Sequence, residues 1–208
     1  MRTVKPSSGF ESHQQDAPHT IYPESIGLHP QVTLLFTDLR GSTAFYERVG
    51  DAGAYRLVRE HFAFLASVIR ERNGNIVKTI GDAVMAAFID PADGVRAALE
   101  VQRTVNAFNE SLEGEDVVIK LGVHCGSCIA VTLNERLDYF GSTINMAARL
   151  QGESDGGDIV FSQDIVGDPL VTDILSGYTL SPESRELKGF DEPIRFLRLT
   201  PQALQDSN

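Results

Sequence analysis

The order of its β-prone and helical runs predicts an α+β domain, a ferredoxin-like antiparallel sheet with helices packed on one face. Three observations carry this. An apolar run, Val32 to Phe36, stops at a turn rich in Gly and hydroxyl residues. Two short β-prone runs are separated only by Gly81-Asp82, a strong hairpin signal. Segments of helical period follow both the first strand and the hairpin, giving the order β-α-β-β-α-β.

Taken in order, residues 1–30 are rich in Pro, Ser, Gln and His and have no apolar period, so they are expected to form a flexible extension or linker. The folded unit is placed at residues 31–200, with a tail at 201–208. After the first strand, Tyr55, Val58, Phe62, Leu65, Val68 and Ile69 recur at helical spacing up to Asn73-Gly74, with an interruption expected near Gly50 to Gly53. The hairpin strands are Asn75 to Ile80 and Ala83 to Ile89. A helix from about Ala92 to Asn109 comes next, then strands at Val117 to His124 and Cys128 to Thr132. A third helix is expected from about Ser142 to Gln151. The last strands are expected at Asp158 to Phe161, Arg185 to Lys188 and Ile194 to Leu199.

The chain has 208 residues, 42% of them hydrophobic, enough to bury one substantial core. Its formal charge of -11 disfavours a protein that grips nucleic acid through a basic surface. A polyanionic ligand would need local cations, either Lys and Arg or divalent metals bridging carboxylates to phosphates. Two cysteines, Cys125 and Cys128, are too few for a disulfide scaffold, and no apolar run approaches the length of a membrane span. These features predict a cytoplasmic protein without direct membrane insertion. The C-x-x-C spacing falls on a strand and has no second pair to complete a zinc site.

Two carboxylates stand at strand ends, Asp38 after the first strand and Asp82 in the hairpin turn. In a ferredoxin-like sheet these strands are neighbours, so the two side chains can converge beside the Gly/Ser/Thr loop, an arrangement suited to Mg²⁺ and phosphate. Taken singly, Asp38 reads rather as a helix cap and Asp82 as a turn residue. Asn145 and Arg149, four apart on the later helix, share a face and present an amide and a guanidinium together; alone they would be an ordinary solvated pair.

Four segments in order settle the context. Phe36-Thr37-Asp38-Leu39-Arg40-Gly41-Ser42-Thr43, Lys78-Thr79-Ile80-Gly81-Asp82-Ala83-Val84-Met85-Ala86, Gly122-Val123-His124-Cys125-Gly126 and Phe140-Gly141-Ser142-Thr143-Ile144-Asn145-Met146-Ala147-Ala148-Arg149-Leu150 resemble the successive signature motifs of the class III adenylate/guanylate cyclases. The resemblance spans about residues 31–199. Two departures stand out: the segment between Gly126 and Phe140 is shorter than the family's arm hairpin, and Ser42 replaces a common Phe.

The resemblance implies a phosphorus-oxygen lyase of signal transduction that makes cyclic AMP from ATP with two Mg²⁺ or Mn²⁺ ions. Asp38, Asp82 and the Leu39 carbonyl would be the metal ligands. The N–H groups of Arg40, Gly41, Ser42 and Thr43 would cradle the β- and γ-phosphates, and Lys188 would contact the terminal phosphates. Asn145 would orient the ribose and Arg149 would stabilise charge at the α-phosphate. Lys78 and Asp138 would read the base. A Lys donor and an Asp acceptor complement adenine N1 and N6, whereas guanine needs a different set. The family pattern further implies a homodimer with two shared sites, each taking its metal ligands from one subunit and the base-reading residues, Asn and Arg from the other, with a regulatory or sensor module fused in a longer parent protein. The alternatives are a cyclase acting on GTP or a pyrimidine triphosphate, and a catalytically silent domain that binds nucleotide and regulates a partner.

Overall fold

The computed structural model describes residues 25–112, 116–133 and 135–205; residues 1–24, most of the expected extension, lie outside them. The elements are β1 (Ser25–Leu39), α1 (Ser42–Glu71), β2 (Asn75–Ile80), β3 (Ala83–Phe88), α2 (Pro91–Glu110), β4 (Ile119–Leu133), β5 (Arg136–Phe140), α3 (Ser142–Glu153), β6 (Ile159–Ser162), α4 (Gln163–Val166), α5 (Pro169–Leu175), β7 (Ser181–Arg185), β8 (Ile194–Leu199) and α6 (Pro201–Gln205). Eight strands form one sheet in the order β2-β3-β1-β4-β6-β8-β7, with β5 paired to β4. The run β2-β3-β1-β4 is the expected ferredoxin-like core, antiparallel throughout. One added pair, β4 with β6, is parallel.

The period-2 alternation of β1 and β3 builds two cores. Leu35, Leu39, Val84, Ala86 and Phe88 join α1 and α2 on one face. Leu34, Phe36, Met85 and Ala87 join Ala147 of α3 on the other. The ferredoxin-like helices α1 and α2 thus share a face, and α3 is an addition to the opposite one. Gly122 makes that addition possible, because a Cβ there would lie 2.2 Å from the Gln151 backbone nitrogen.

Helix α1 bends where the sequence places an interruption: Gly50 has φ 72 and ψ 171, a conformation only glycine adopts freely. Helix α2 begins at Asp90, whose carboxylate accepts from the Ala92 N–H, with Pro91 in the first turn.

Three boundaries differ from the sequence reading. Strand β1 starts at Ser25, because Ser25 to His29 pair with Cys128 to Thr132 across the sheet. The same pairing fuses the two strands expected around Gly126 into the single β4. The strand expected at Arg185 to Lys188 lies earlier, as β7. It is held there by Glu183, which lies opposite Phe196 and accepts from Arg198 at 2.6 Å. In the expected tail, α6 buries Leu204 against the core. Among the described residues no helix is long and apolar enough to cross a membrane.

Candidate active site

The β1–β3 register sets Thr37 across from Val84, so Asp38 and the Asp82 turn meet at one end of the sheet. Gly81, at φ 64, allows the two-residue turn that carries Asp82. Burial, and then the charge of Asp82, push the Asp38 carboxyl above the usual carboxylate range. Asp82 Oδ2 is buried without a hydrogen-bond partner. The Asp82 charge beside a raised Asp38 carboxyl fits a divalent cation, which would offset the repulsion between them. Among the described residues no three His, Cys, Asp or Glu side chains are placed to hold a metal ion together. Two carboxylates suit Mg²⁺, which keeps waters and takes phosphate oxygens, better than they suit a closed all-protein cage.

Lys120, which the sequence reading did not single out, sits directly across from Asp38 in the β1–β4 register and lowers the carboxyl against those two effects. Its amine donates to the Gly152 carbonyl at 3.1 Å. Only the pairing of distant strands places it here, so no local signal marks it.

Beside the carboxylates, Arg40 donates its N–H to Val118 at 2.9 Å, which ends the strand. Gly41, in the left-handed region, starts α1 without a side-chain cap, and Ser42 and Thr43 form the first turn. Their N–H groups lack intrahelical partners, as at any helix start, and the dipole there favours an anion.

Two further side chains on α1 lie against Asp82. The Tyr46 hydroxyl is within reach of Asp82 and Ser42 without closing a hydrogen bond of ordinary geometry; burial and the Asp82 charge push it up to about 12. His61 is fully buried, and desolvation lowers it to about 4 despite the nearby Asp82 charge, so the ring is neutral.

The other predicted residues gather elsewhere. Lys78, across from Met85 on β3, donates to both oxygens of Asp138 on β5 at 2.8 Å each. Lys78 lines a cleft of about 780 Å³ together with His29, Val32, Val77, Leu137 and Tyr139 among others. Asn145 and Arg149 are exposed on α3, whose buried side is Thr143, Ala147 and Leu150. Arg149 Nε donates to the Lys188 carbonyl at 3.1 Å, which brings Lys188 to the same helix. Among the described residues, no hydrogen bond or ion pair links Lys78, Asp138, Arg149 or Lys188 to Asp38 or Asp82. The candidate residues therefore fall into a group around the two carboxylates and the α1 N-terminus, and a second set made of two pairs, Lys78–Asp138 and Arg149–Lys188, that no hydrogen bond joins to it.

Cys125 and Cys128 are both buried and free, and burial raises both thiols, Cys125 to about 11. Neither is a nucleophile in that state. His124 is also buried, with Nδ1 2.8 Å from the Ser162 hydroxyl, and belongs to the packing beneath α3.

Residues 25–185 match the model of the adenylate and guanylate cyclase catalytic domain. An adenylate cyclase from Anabaena cylindrica is 28% identical over 179 residues, which are 79% of this chain and 36% of that protein. The chain spans less than half the length of the curated relatives it matches. The crystal structure of the adenylyl cyclase CyaB from P. aeruginosa superposes with a TM-score of 0.74 at 21% identity, covering 85% of this chain and 96% of that one. The guanylate cyclase domain from Catenaria anguillulae, in complex with GTP, gives 0.71 at 21% identity, covering 84% and 98%. These likenesses extend to the fold on both sides of the adenine–guanine divide.

Proposed function

Because the chain belongs to the class III adenylate and guanylate cyclase catalytic-domain family, we propose that it converts ATP to cyclic AMP and pyrophosphate at two equivalent sites shared between the subunits of a homodimer. The observation that carries this reading is the division of the site residues. Each chain holds both groups, and a two-fold axis would bring the Asp38/Asp82 group of one copy to the Lys78/Asp138/Asn145/Arg149 group of the other.

Asp38, Asp82 and the Leu39 carbonyl would hold two Mg²⁺ or Mn²⁺ ions. When bound, these ions supply activation of the ribose 3′-hydroxyl for in-line attack on the α-phosphorus and neutralisation of the triphosphate. The chain's own part is to position and to stabilise. The N–H groups of Gly41, Ser42 and Thr43 take the β- and γ-phosphates, the expected Arg40 N–H being engaged instead by the Val118 carbonyl, and Lys120 and Lys188 add positive charge beside them. Asn145 orients the ribose. Arg149 meets the charge that grows at the α-phosphate.

The Lys78–Asp138 pair supports adenine as the base, because it offers one donor and one acceptor from a single place. A row of exposed apolar residues supports the dimer: Leu28, Ile129 and Phe140 lie side by side across β1, β4 and β5, and are 75%, 44% and 49% exposed. Such a row is costly to leave in water, and a second copy would cover it. A cytoplasmic setting and a sensor module elsewhere in a longer protein complete the proposal.

The test is to incubate the protein with Mn²⁺ or Mg²⁺ and ATP, GTP, CTP or UTP in parallel and to identify the products by mass. Cyclic AMP from ATP alone, lost in Asp82→Ala, is the expected result. Another cyclic nucleotide would overturn the base assignment, and no product at any protein concentration would replace catalysis by nucleotide-dependent regulation.

A further inference from the structure

Behind the two carboxylates, polar atoms are buried without a hydrogen bond of ordinary geometry. This holds for both ring nitrogens of His61, the Tyr46 hydroxyl, Thr37 Oγ1 and Asp82 Oδ2, although Tyr46 and His61 both lie within reach of Asp82. Protein interiors leave few such atoms, because each costs the hydrogen bonds it made in water. Here they are neighbours: Tyr46 and His61 both lie against Asp82, and Thr37 precedes Asp38 and faces β3.

The backbone has been bent to gather them. Tyr46 and His61 are fifteen residues apart in α1, and in a straight helix they would stand about 22 Å apart along the axis, too far to touch one carboxylate. The break at Gly50 falls between them and folds the first part of the helix back, so that both reach the same turn. The groups are also complementary in kind. Tyr46, Thr37 and a neutral His61 each carry a proton to give, whereas the Asp82 carboxylate and its main-chain carbonyl can only accept.

Resting on the reading of Asp82 as a metal ligand, we propose that Tyr46 and His61 are positioning residues that orient Asp82 toward the divalent cation, Tyr46 donating to Oδ2 and a His61 ring N–H to the Asp82 main-chain carbonyl. A carboxylate that ligates a metal through one oxygen needs its other oxygen and its backbone held. Outer partners of this sort are worth about 10–100-fold in metal affinity.

The experiment titrates Mn²⁺ alone into the full chain and follows free Mn²⁺ by electron paramagnetic resonance. Tyr46→Phe keeps the ring and removes only the hydroxyl; it is expected to weaken Mn²⁺ binding about tenfold, while the metal-free melting temperature stays near that of the wild type. His61→Leu is expected to act in the same direction, and Tyr55→Phe, altering an exposed tyrosine of the same helix, to leave binding unchanged. If Tyr46→Phe binds Mn²⁺ like the wild type while Asp82→Asn does not bind it, the positioning role is overturned and the metal site stands. If the wild type takes up no Mn²⁺, the metal-ligand reading falls with it. Should His61→Leu fail to fold, Tyr46→Phe decides alone.

Discussion

Arg149 donates through its Nε to the Lys188 carbonyl, which leaves the charged guanidinium exposed on α3. In the proposed reaction this group acts on charge that appears only in the transition state. Arg149→Ala is therefore expected to lower kcat by about 10²–10³-fold with a much smaller change in KM. Steady-state kinetics on ATP at saturating metal would check it, and an equal loss in both parameters would contradict the role. His61 makes a separate prediction about stability. Its folded value, about 4, lies below the ordinary 6.5, so the unfolded chain binds the proton first as pH falls. Stability from this group is complete above pH 6.5 and is lost between there and pH 4, by roughly 3 kcal/mol in all. Urea midpoints across that range should fall steeply for the wild type and less steeply for His61→Leu; His124, also lowered by burial, contributes in the same direction in both proteins. These residues also mark the limit of sequence reading. Asp38 and Asp82 were legible because strand-end and turn signals are local. Lys120, Tyr46 and His61 were not, because each gains its meaning from a contact with a distant strand or turn.

The third helix shows how much a packed element depends on one absent side chain. Because the Gln151 backbone sits where a Cβ on Gly122 would go, Gly122→Ala must push α3 off the sheet. Overpacking of this kind costs about 1–3 kcal/mol, and since α3 carries Asn145 and Arg149, activity should fall further than stability alone explains. Thermal melting and kcat measured on the same preparation would separate the two. Legibility differed among the elements for a similar reason. The β2–β3 hairpin, α2 and the break in α1 were read correctly because each is written locally: in Gly81-Asp82, in the helical period from Ala92, and in Gly50. The full length of β1 and β4, the strand β5 and the position of β7 were not. Each is set by pairing between segments far apart in the chain, as with Glu183 and Arg198.

At the scale of the whole molecule, the proposed homodimer, with two incomplete groups of site residues in each chain, would make activity a property of the pair. Specific activity should fall on dilution below the dimer dissociation constant. Mixing offers a sharper test. Asp82→Ala and Arg149→Ala, each inactive alone, should recover about one quarter of wild-type activity when combined in equal amounts, because half the dimers are mixed and each mixed dimer rebuilds one of its two sites. No recovery after subunit exchange would place all the catalytic residues within one chain. The same division has a consequence for descent. In a self-paired chain any lesion in either group spoils both sites together, so neither group can drift. A duplicated gene escapes that constraint: one copy can shed its carboxylates and the other its Arg and Asn, and the pair still keeps one working site. The second site, released from chemistry, is then a ready-made pocket for a ligand that only regulates.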